Sequence, residues 1–188
     1  MTIKVYAIEK VILFGDSLMA GYGLSNEHHL PVVLKESLIA DGFNIEVING
    51  SVSGSTSSGG LNRAEWTLSE SDIDLMILGL GANDMLRGIN PKETKKNLEQ
   101  IIKIAQDKNI KVVLAGMVAP TSHGFKYKKN FDKIYPDLSK KYKLTLIPFL
   151  LEGVALKPKY NLSDGMHPNE KGTIIISNTL KKAILNKL

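Results

Sequence analysis

Val11-Ile12-Leu13-Phe14-Gly15-Asp16-Ser17-Leu18 is an apolar, β-branched run that stops abruptly at a small residue, an acid and a hydroxyl. A short continuous apolar run of this kind fits a strand covered on both faces in a parallel sheet. Ligands bind beyond the carboxyl ends of such strands, which is where Ser17 stands. Gly15 is expected to relieve the sharp change of direction, and Gly21 and Gly23 to keep the following backbone close and uncrowded. Asp16 and Ser17 are also residue types that cap helices, so this stretch alone leaves a plain helix cap open. The rest of the chain has to decide.

A chain of 188 residues fits a single domain, residues 1–188, and is long enough to bury a core without staples. It has no cysteine, which excludes a disulfide framework, a thiolate nucleophile and any cysteine-ligated metal or iron–sulfur cluster. The formal charge of +5 is carried almost entirely by dispersed lysines, with Arg63 and Arg87 the only arginines. Nucleic-acid recognition brings arginine forks, interleaved aromatics or a long basic stripe; none is evident, and a solvated lysine-rich surface is the reading. No apolar run reaches 18 residues, so no membrane-spanning segment is expected. Met1 to Ala7 is too short to hold a signal peptide before the first strand. Either the protein stays in the cytosol or a leader precedes this sequence, and the residues leave both open.

Outward from the first strand, short β-branched runs alternate with longer helical ones, with no linker or low-complexity tract between them, which argues for one α/β domain. Strands are expected near residues 9–14, 45–49, 73–80, 111–117 and 144–148. Helices are expected over 31–41 with Pro31 in the first turn, and from Thr94 to Lys108 with Leu98, Ile101, Ile102 and Ala105 inward. A further helix from about Phe125 to Tyr142 turns Phe131, Ile134, Leu138 and Tyr142 inward, with Pro136 kinking or dividing it, and a last one runs from Glu170 to Lys187. Right-handed crossovers of these lengths close as a doubly wound, flavodoxin-like five-stranded parallel sheet with helices on both faces.

Polar or glycine-bearing segments recur just past the strands: Gly15-Asp16-Ser17 after the first, Asn49 to Ser55 after the second, Gly79-Leu80-Gly81-Ala82-Asn83-Asp84 after the third. All three gather on one edge of such a sheet. Ser51 to Gly60, rich in Ser and Gly, is expected to be a tight loop that brings backbone N–H groups to that edge.

A serine nucleophile needs a base within hydrogen-bond reach, and the base needs a third group to hold its tautomer. Of the four histidines, His28 and His29 stand at a helix start and His123 in the loop after the fourth strand. His167 differs: in Ser163-Asp164-Gly165-Met166-His167-Pro168-Asn169 an acid lies three residues before it, so in a helical turn both side chains share a face. Asp164 then accepts from His167 Nδ1 while Nε2 points toward Ser17. A turn capped by Asp164 and punctuated by Pro168 is the structural alternative. Acyl transfer also needs donors aimed at the oxygen that becomes negative, and the Ser17 and Gly54 backbone N–H groups and the Asn83 amide are candidates. An asparagine that merely closes its own turn is the ordinary explanation of Asn83.

Together these pieces resemble the SGNH, or GDSL-type, serine hydrolases. The matches are Ser17 in Gly-Asp-Ser-Leu, Gly54 in Val-Ser-Gly-Ser-Thr-Ser, Asn83 in Gly-Ala-Asn-Asp and His167 in Asp-Gly-Met-His-Pro-Asn, in order over nearly the whole chain. The chain is most similar to the compact bacterial branch of acyl-thioesterase, lysophospholipase and arylesterase enzymes, through Asn83 to Gly88, Ile134-Tyr135-Pro136, Leu156-Lys157-Pro158 and Asp164 to Asn169. The resemblance implies a Ser17, His167, Asp164 triad and an oxyanion hole of Ser17, Gly54 and Asn83. It also implies export to the periplasm or medium if a leader is removed. Two departures stand out: Gly81-Ala82 where relatives often carry Gly-Gly, and His123 in the segment that the resemblance places in the acyl-binding wall.

The expected chemistry is ester or thioester hydrolysis through an acyl-serine, without metal or cofactor, on a small acyl substrate and by a monomer. Asp16 is expected to tighten the turn or order neighbouring loops, and Arg87 to orient its loop through a carboxylate, with contact to a substrate phosphate as the alternative. An apolar groove between Met85–Asn90 and Val118–Phe125, lined by Leu86, Ile89, Val118 and Phe125, is expected to take the acyl chain. Acetylated sugars as substrates, or a catalytically silent binding module on the same fold, are the alternatives. A nucleotide or flavin binder is disfavoured because no Gly-x-Gly-x-x-Gly or P-loop follows the first strand.

Overall fold

Each of the five apolar runs forms a strand. In the computed structural model, which describes residues 8–69 and 72–185, they are β1 (Lys10–Gly15), β2 (Glu46–Asn49), β3 (Leu75–Gly79), β4 (Lys111–Ala115) and β5 (Thr145–Ile147). All neighbours are parallel and the sheet order is β2-β1-β3-β4-β5. The chain moves outward from β1 to β2, returns past β1 to β3, and continues to β4 and β5. The direction of winding therefore reverses beside β1, which makes the carboxyl ends of β1 and β3 the crevice of the fold.

Helices α1 (Ser17–Ala20), α2 (Leu30–Ala40), α3 (Ser57–Thr67), α4 (Ala82–Leu86), α5 (Pro91–Asp107), α6 (Phe125–Asp132), α7 (Ile134–Tyr142) and α8 (Glu170–Leu185) cover the sheet. α2 packs with α8 and α3 with α5, one pair to each face, as right-handed crossovers in opposite directions require. The central strands are sealed between these layers: Val11 to Phe14 and Leu75 to Leu78 have no exposed surface. α5 begins earlier than its apolar spacing suggests because Asn90 caps the Lys92 N–H at 3.0 Å and Pro91 opens the helix. Its inward Leu98, Ile101, Ile102 and Ala105 are fully buried.

Three local expectations are corrected. The helix expected from Phe125 to Tyr142 is divided, as Pro136 suggests, but the division falls at Lys133, three residues before the proline. Pro136 lies in the first turn of α7, where its missing N–H costs nothing, while its ring excludes the carbonyl four residues earlier from a continuous helix. Ser51 to Gly60 is a loop only as far as Thr56, whose side chain caps Gly59; Ser57 to Gly60 are already the first turn of α3. Gly15 serves close approach rather than a bend: a Cβ there would stand 2.8 Å from the Gly79 carbonyl and 2.5 Å from Met19 Sδ. The turn itself is made by Asp16. The last two residues expected in the final helix, Asn186 and Lys187, lie outside the described residues.

Candidate active site

The polar residues at the strand ends converge. Asp16 is the N-cap of α1 and accepts from the Leu18 N–H at 3.0 Å, which makes Ser17 the first helical residue. Its N–H is one of the groups a helix cannot satisfy internally. From the far end of the chain, 150 residues on, His167 brings Nε2 to 3.0 Å from Ser17 Oγ, and its Nδ1 is 2.6 Å from Asp164 Oδ2. With Nδ1 protonated, the ring donates to Asp164 and accepts from the serine hydroxyl.

The way Asp164 meets His167 differs from the helical turn expected. Residues 163–167 form a non-helical turn in which Asp164 Oδ1 accepts the Met166 and His167 N–H groups at 2.8 and 3.0 Å. Gly165 has φ 71°, open to glycine at little cost, and Pro168 steers His167 away from helical backbone. Those two N–H groups and then the imidazole hold the Asp164 carboxyl down to about 2, so it stays ionised beside the ring. Tyr22 covers the imidazole, with ring centroids 4.4 Å apart.

Gly54 occupies the third place of the Val52–Ser55 turn, closed by Ser55 N–H to Val52 O at 3.1 Å, with φ 78°. That position of the turn demands a positive φ. Asn83, in the first turn of α4, donates from Nδ2 to the Ser55 carbonyl at 3.1 Å and to Asp16 Oδ2 at 3.3 Å. Burial pushes the Asp16 carboxyl up to about 6, although the Leu18 N–H, Asn83 and His167 all favour its ionised form.

Two supports were not visible from the residue pattern. The buried Asp84 carboxylate accepts the Ser57 N–H at 2.7 Å, the Ser57 hydroxyl and the Thr94 hydroxyl at 3.0 Å, and Asn97 donates to Ser57 Oγ at 3.0 Å. This ties the start of α3, and with it the Gly54 turn, to the helix that carries Asn83. Arg63 on α3 donates to the Gly15 carbonyl at 3.0 Å and to the Gly50 carbonyl, with its guanidinium 4.0 Å from the Phe14 ring centroid. Being one of only two arginines was its sole signal. Arg87, the other, reaches the Gly54 carbonyl at 3.2 Å, a carbonyl in place of the expected carboxylate.

Of the residues expected to line an acyl groove, Leu86, Val118 and Phe125 are exposed and Ile89 is half-buried. Their two segments lie side by side, because Tyr127 Oη donates to the Ile89 carbonyl at 3.0 Å and the His123 ring stands 5.1 Å from that of Tyr127. Among the described residues no cluster of three His, Asp or Glu side chains is close enough to hold a metal, and no helix is long and apolar enough to cross a membrane.

A hydroxyl, an imidazole and a carboxylate in line, beside backbone and amide donors at a strand end, can pass a proton and hold an oxyanion. The GDSL-like lipase/acylhydrolase family model matches residues 13–173, from β1 into α8. The chain belongs to that family. It is 37% identical over 97% of its length to an arylesterase of Vibrio mimicus, covering 91% of that protein. It is 33% identical over 98% of its length to thioesterase 1/protease 1/lysophospholipase L1 of Escherichia coli K12, covering 87% of that protein. A crystal structure of TesA superposes with a TM-score of 0.90 at 31% identity, covering 96% of this chain and all of the other. The family's five-strand α/β fold is the one described above.

Proposed function

We propose that this GDSL-family enzyme hydrolyses carboxylic ester and thioester bonds of acyl substrates through an acyl-serine intermediate, with Ser17 as nucleophile, His167 as base and then acid, and Asp164 as the group that orients His167. The supporting observation is the line from Asp164 Oδ2 through His167 to Ser17 Oγ, with separations of 2.6 and 3.0 Å. His167 Nε2 takes the Ser17 proton as Oγ attacks the acyl carbonyl, and returns it to the leaving alcohol or thiol. Water then attacks the acyl-serine with the same histidine as base. The relatives' names, arylesterase and thioesterase/lysophospholipase, agree with this substrate range.

Ser17 N–H, Gly54 N–H and Asn83 Nδ2 are the oxyanion donors of this reading. The Asn83 amide offers the oxyanion the N–H that now makes its longer contact, to Asp16, while the bond to Ser55 keeps the group in place. The acyl chain lies along the seam between the Leu86–Ile89 and Val118–Phe125 segments, with Phe125 at its rim. The enzyme works as a monomer, exported if a leader precedes it, and uses no metal or cofactor.

The test is a matched panel of acyl esters, acyl-CoA thioesters and acetylated sugars of increasing acyl length, hydrolysed by the protein and by Ser17→Ala. The expected result is turnover favouring medium or long acyl chains and abolished by the substitution. Preference for acetyl sugars moves the substrate class to carbohydrate esters, and turnover that survives Ser17→Ala removes the mechanism.

A further inference from the structure

Every segment that leaves the carboxyl end of a strand turns a large apolar side chain to solvent. These are Tyr22 after β1, Val52 after β2, Leu86 after β3, Val118 and Phe125 after β4, and Leu156 and Met166 after β5. The other exposed large hydrophobics among the described residues, Ile39, Trp66 and Ile174, lie on helix surfaces. Ile39 and Trp66 stand in the last turns of α2 and α3, which lead into β2 and β3, so the strand-entry pole carries two such side chains against seven at the carboxyl pole. Single exposed apolar residues need no explanation, but their collection at one pole, around Ser17, marks a contact surface.

The two most exposed members stand among cations. Phe125 is 81% exposed at the start of α6, followed by exposed Lys126 and Lys129; Leu156 is 92% exposed and followed by exposed Lys157 and Lys159. Leu156 also holds φ 61°, a left-handed backbone that a side chain of its kind rarely adopts, so the chain is constrained to present it. Lys128, paired with Asp132, is left out of this set. The exposed acids on the five segments and the helix starts that follow them are Glu27, Glu93, Glu152, Asp164 engaged with His167, and Glu170 paired with His28, and none adjoins Phe125 or Leu156 in the chain. Apolar tips ringed by ammonium groups match an interface whose surface is anionic and whose interior is hydrocarbon.

We propose that this pole docks on an anionic phospholipid surface, with Phe125 and Leu156 entering the interface and Lys126, Lys129, Lys157 and Lys159 against its headgroups. Ser17 then faces the membrane plane. Docking goes beyond the hydrolysis proposed above and is measured without turnover.

The experiment sediments the full chain carrying Ser17→Ala with phosphatidylcholine vesicles, with or without phosphatidylglycerol as roughly a third of the lipid. Each lysine near an anionic surface is worth about a fivefold gain in partition. Binding to the anionic vesicles is expected to exceed binding to neutral ones by at least about tenfold, and to fall as salt is raised. Reversing all four lysines to glutamate is expected to lower it at least about six hundredfold, and Phe125→Ser with Leu156→Ser at least about tenfold. Both variants are first checked for the parental melting temperature; if the reversal melts early, the four lysines are changed to glutamine instead. Equal binding to neutral and anionic vesicles, no binding to either, or a loss of less than about tenfold in either variant overturns the proposal.

Discussion

Asn83 Nδ2 lies 3.3 Å from Asp16 Oδ2, so the amide at the end of β3 and the acid at the end of β1 hold each other across the switch point of the sheet. Asp16 is 1% exposed, and burial raises its carboxyl from 3.8 to about 6. Between those values the folded chain keeps a proton that the unfolded chain has lost. Stability therefore falls as pH rises from about 4 to 6 and stays lower above, by roughly 3 kcal/mol, because each tenfold difference in proton affinity between the two states is worth about 1.4 kcal/mol. In Asp16→Asn this dependence disappears. Denaturant unfolding at pH 4 and pH 7 is expected to move the difference between variant and parent in the variant's favour by about 2–3 kcal/mol. A difference that does not change with pH would mean that Asp16 is not raised.

Removing the amide itself, in Asn83→Ala, takes away one proposed oxyanion donor. A lost donor of this kind costs about a hundredfold or more in kcat with little change in KM. Steady-state kinetics on a medium-chain ester decides it: a fall of only a few fold would end the assignment.

In the proposed mechanism Asp164 acts through His167, so its replacement leaves the base in place but poorly held. Asp164→Ala is expected to retain turnover about one to two orders of magnitude above Ser17→Ala and His167→Ala. Asp164 stays ionised down to about pH 2, so loss of activity between pH 7 and pH 4 does not come from its protonation. The pH profiles of Asp164→Ala and the parent, compared above pH 4, test this directly. Equal losses in all three variants would refute the supporting role.

Arg63 joins the carbonyls of Gly15 and Gly50 by a fork that lysine cannot reproduce. Burial lowers its pKa, and its Nε is buried without a partner, so the guanidinium is held at some cost for the two carbonyls it satisfies. Arg63→Lys is expected to destabilise the fold by about 1–3 kcal/mol, the cost of leaving the Gly50 carbonyl without a good partner, since the Gly15 carbonyl keeps the Val52 N–H at 3.1 Å. Because those carbonyls flank the Ser17 and Gly54 turns, kcat is expected to fall while KM changes little. Parental melting behaviour in Arg63→Lys would show that the fork is dispensable.

Much of the site was legible along the chain because a buried parallel strand needs an unbroken apolar run, and the residue that ends the run marks the sheet edge. Gly15-Asp16-Ser17 and the segment up to Asn83 announced themselves in this way, and Asp164 to His167 stood out by the rarity of histidine. Helix bounds were less legible. Thr56 and Asn90 start α3 and α5 through caps, and such caps lie outside the apolar spacing that reveals a helix. The split at Lys133 follows from the reach of Pro136 back over four residues.

The amino-acid sequence by itself determined the α/β alternation, the five strands and the residue types offered at their carboxyl ends, because burial and backbone geometry act locally along the chain. Only the tertiary structure decided that Ser17 and His167 meet across 150 residues, that Asp84 locks Ser57 and Thr94, and that Arg63 reaches two strand ends. Hydrogen bonds are short and directional, so such pairings exist only once the crossovers have placed the partners within about 3 Å of each other.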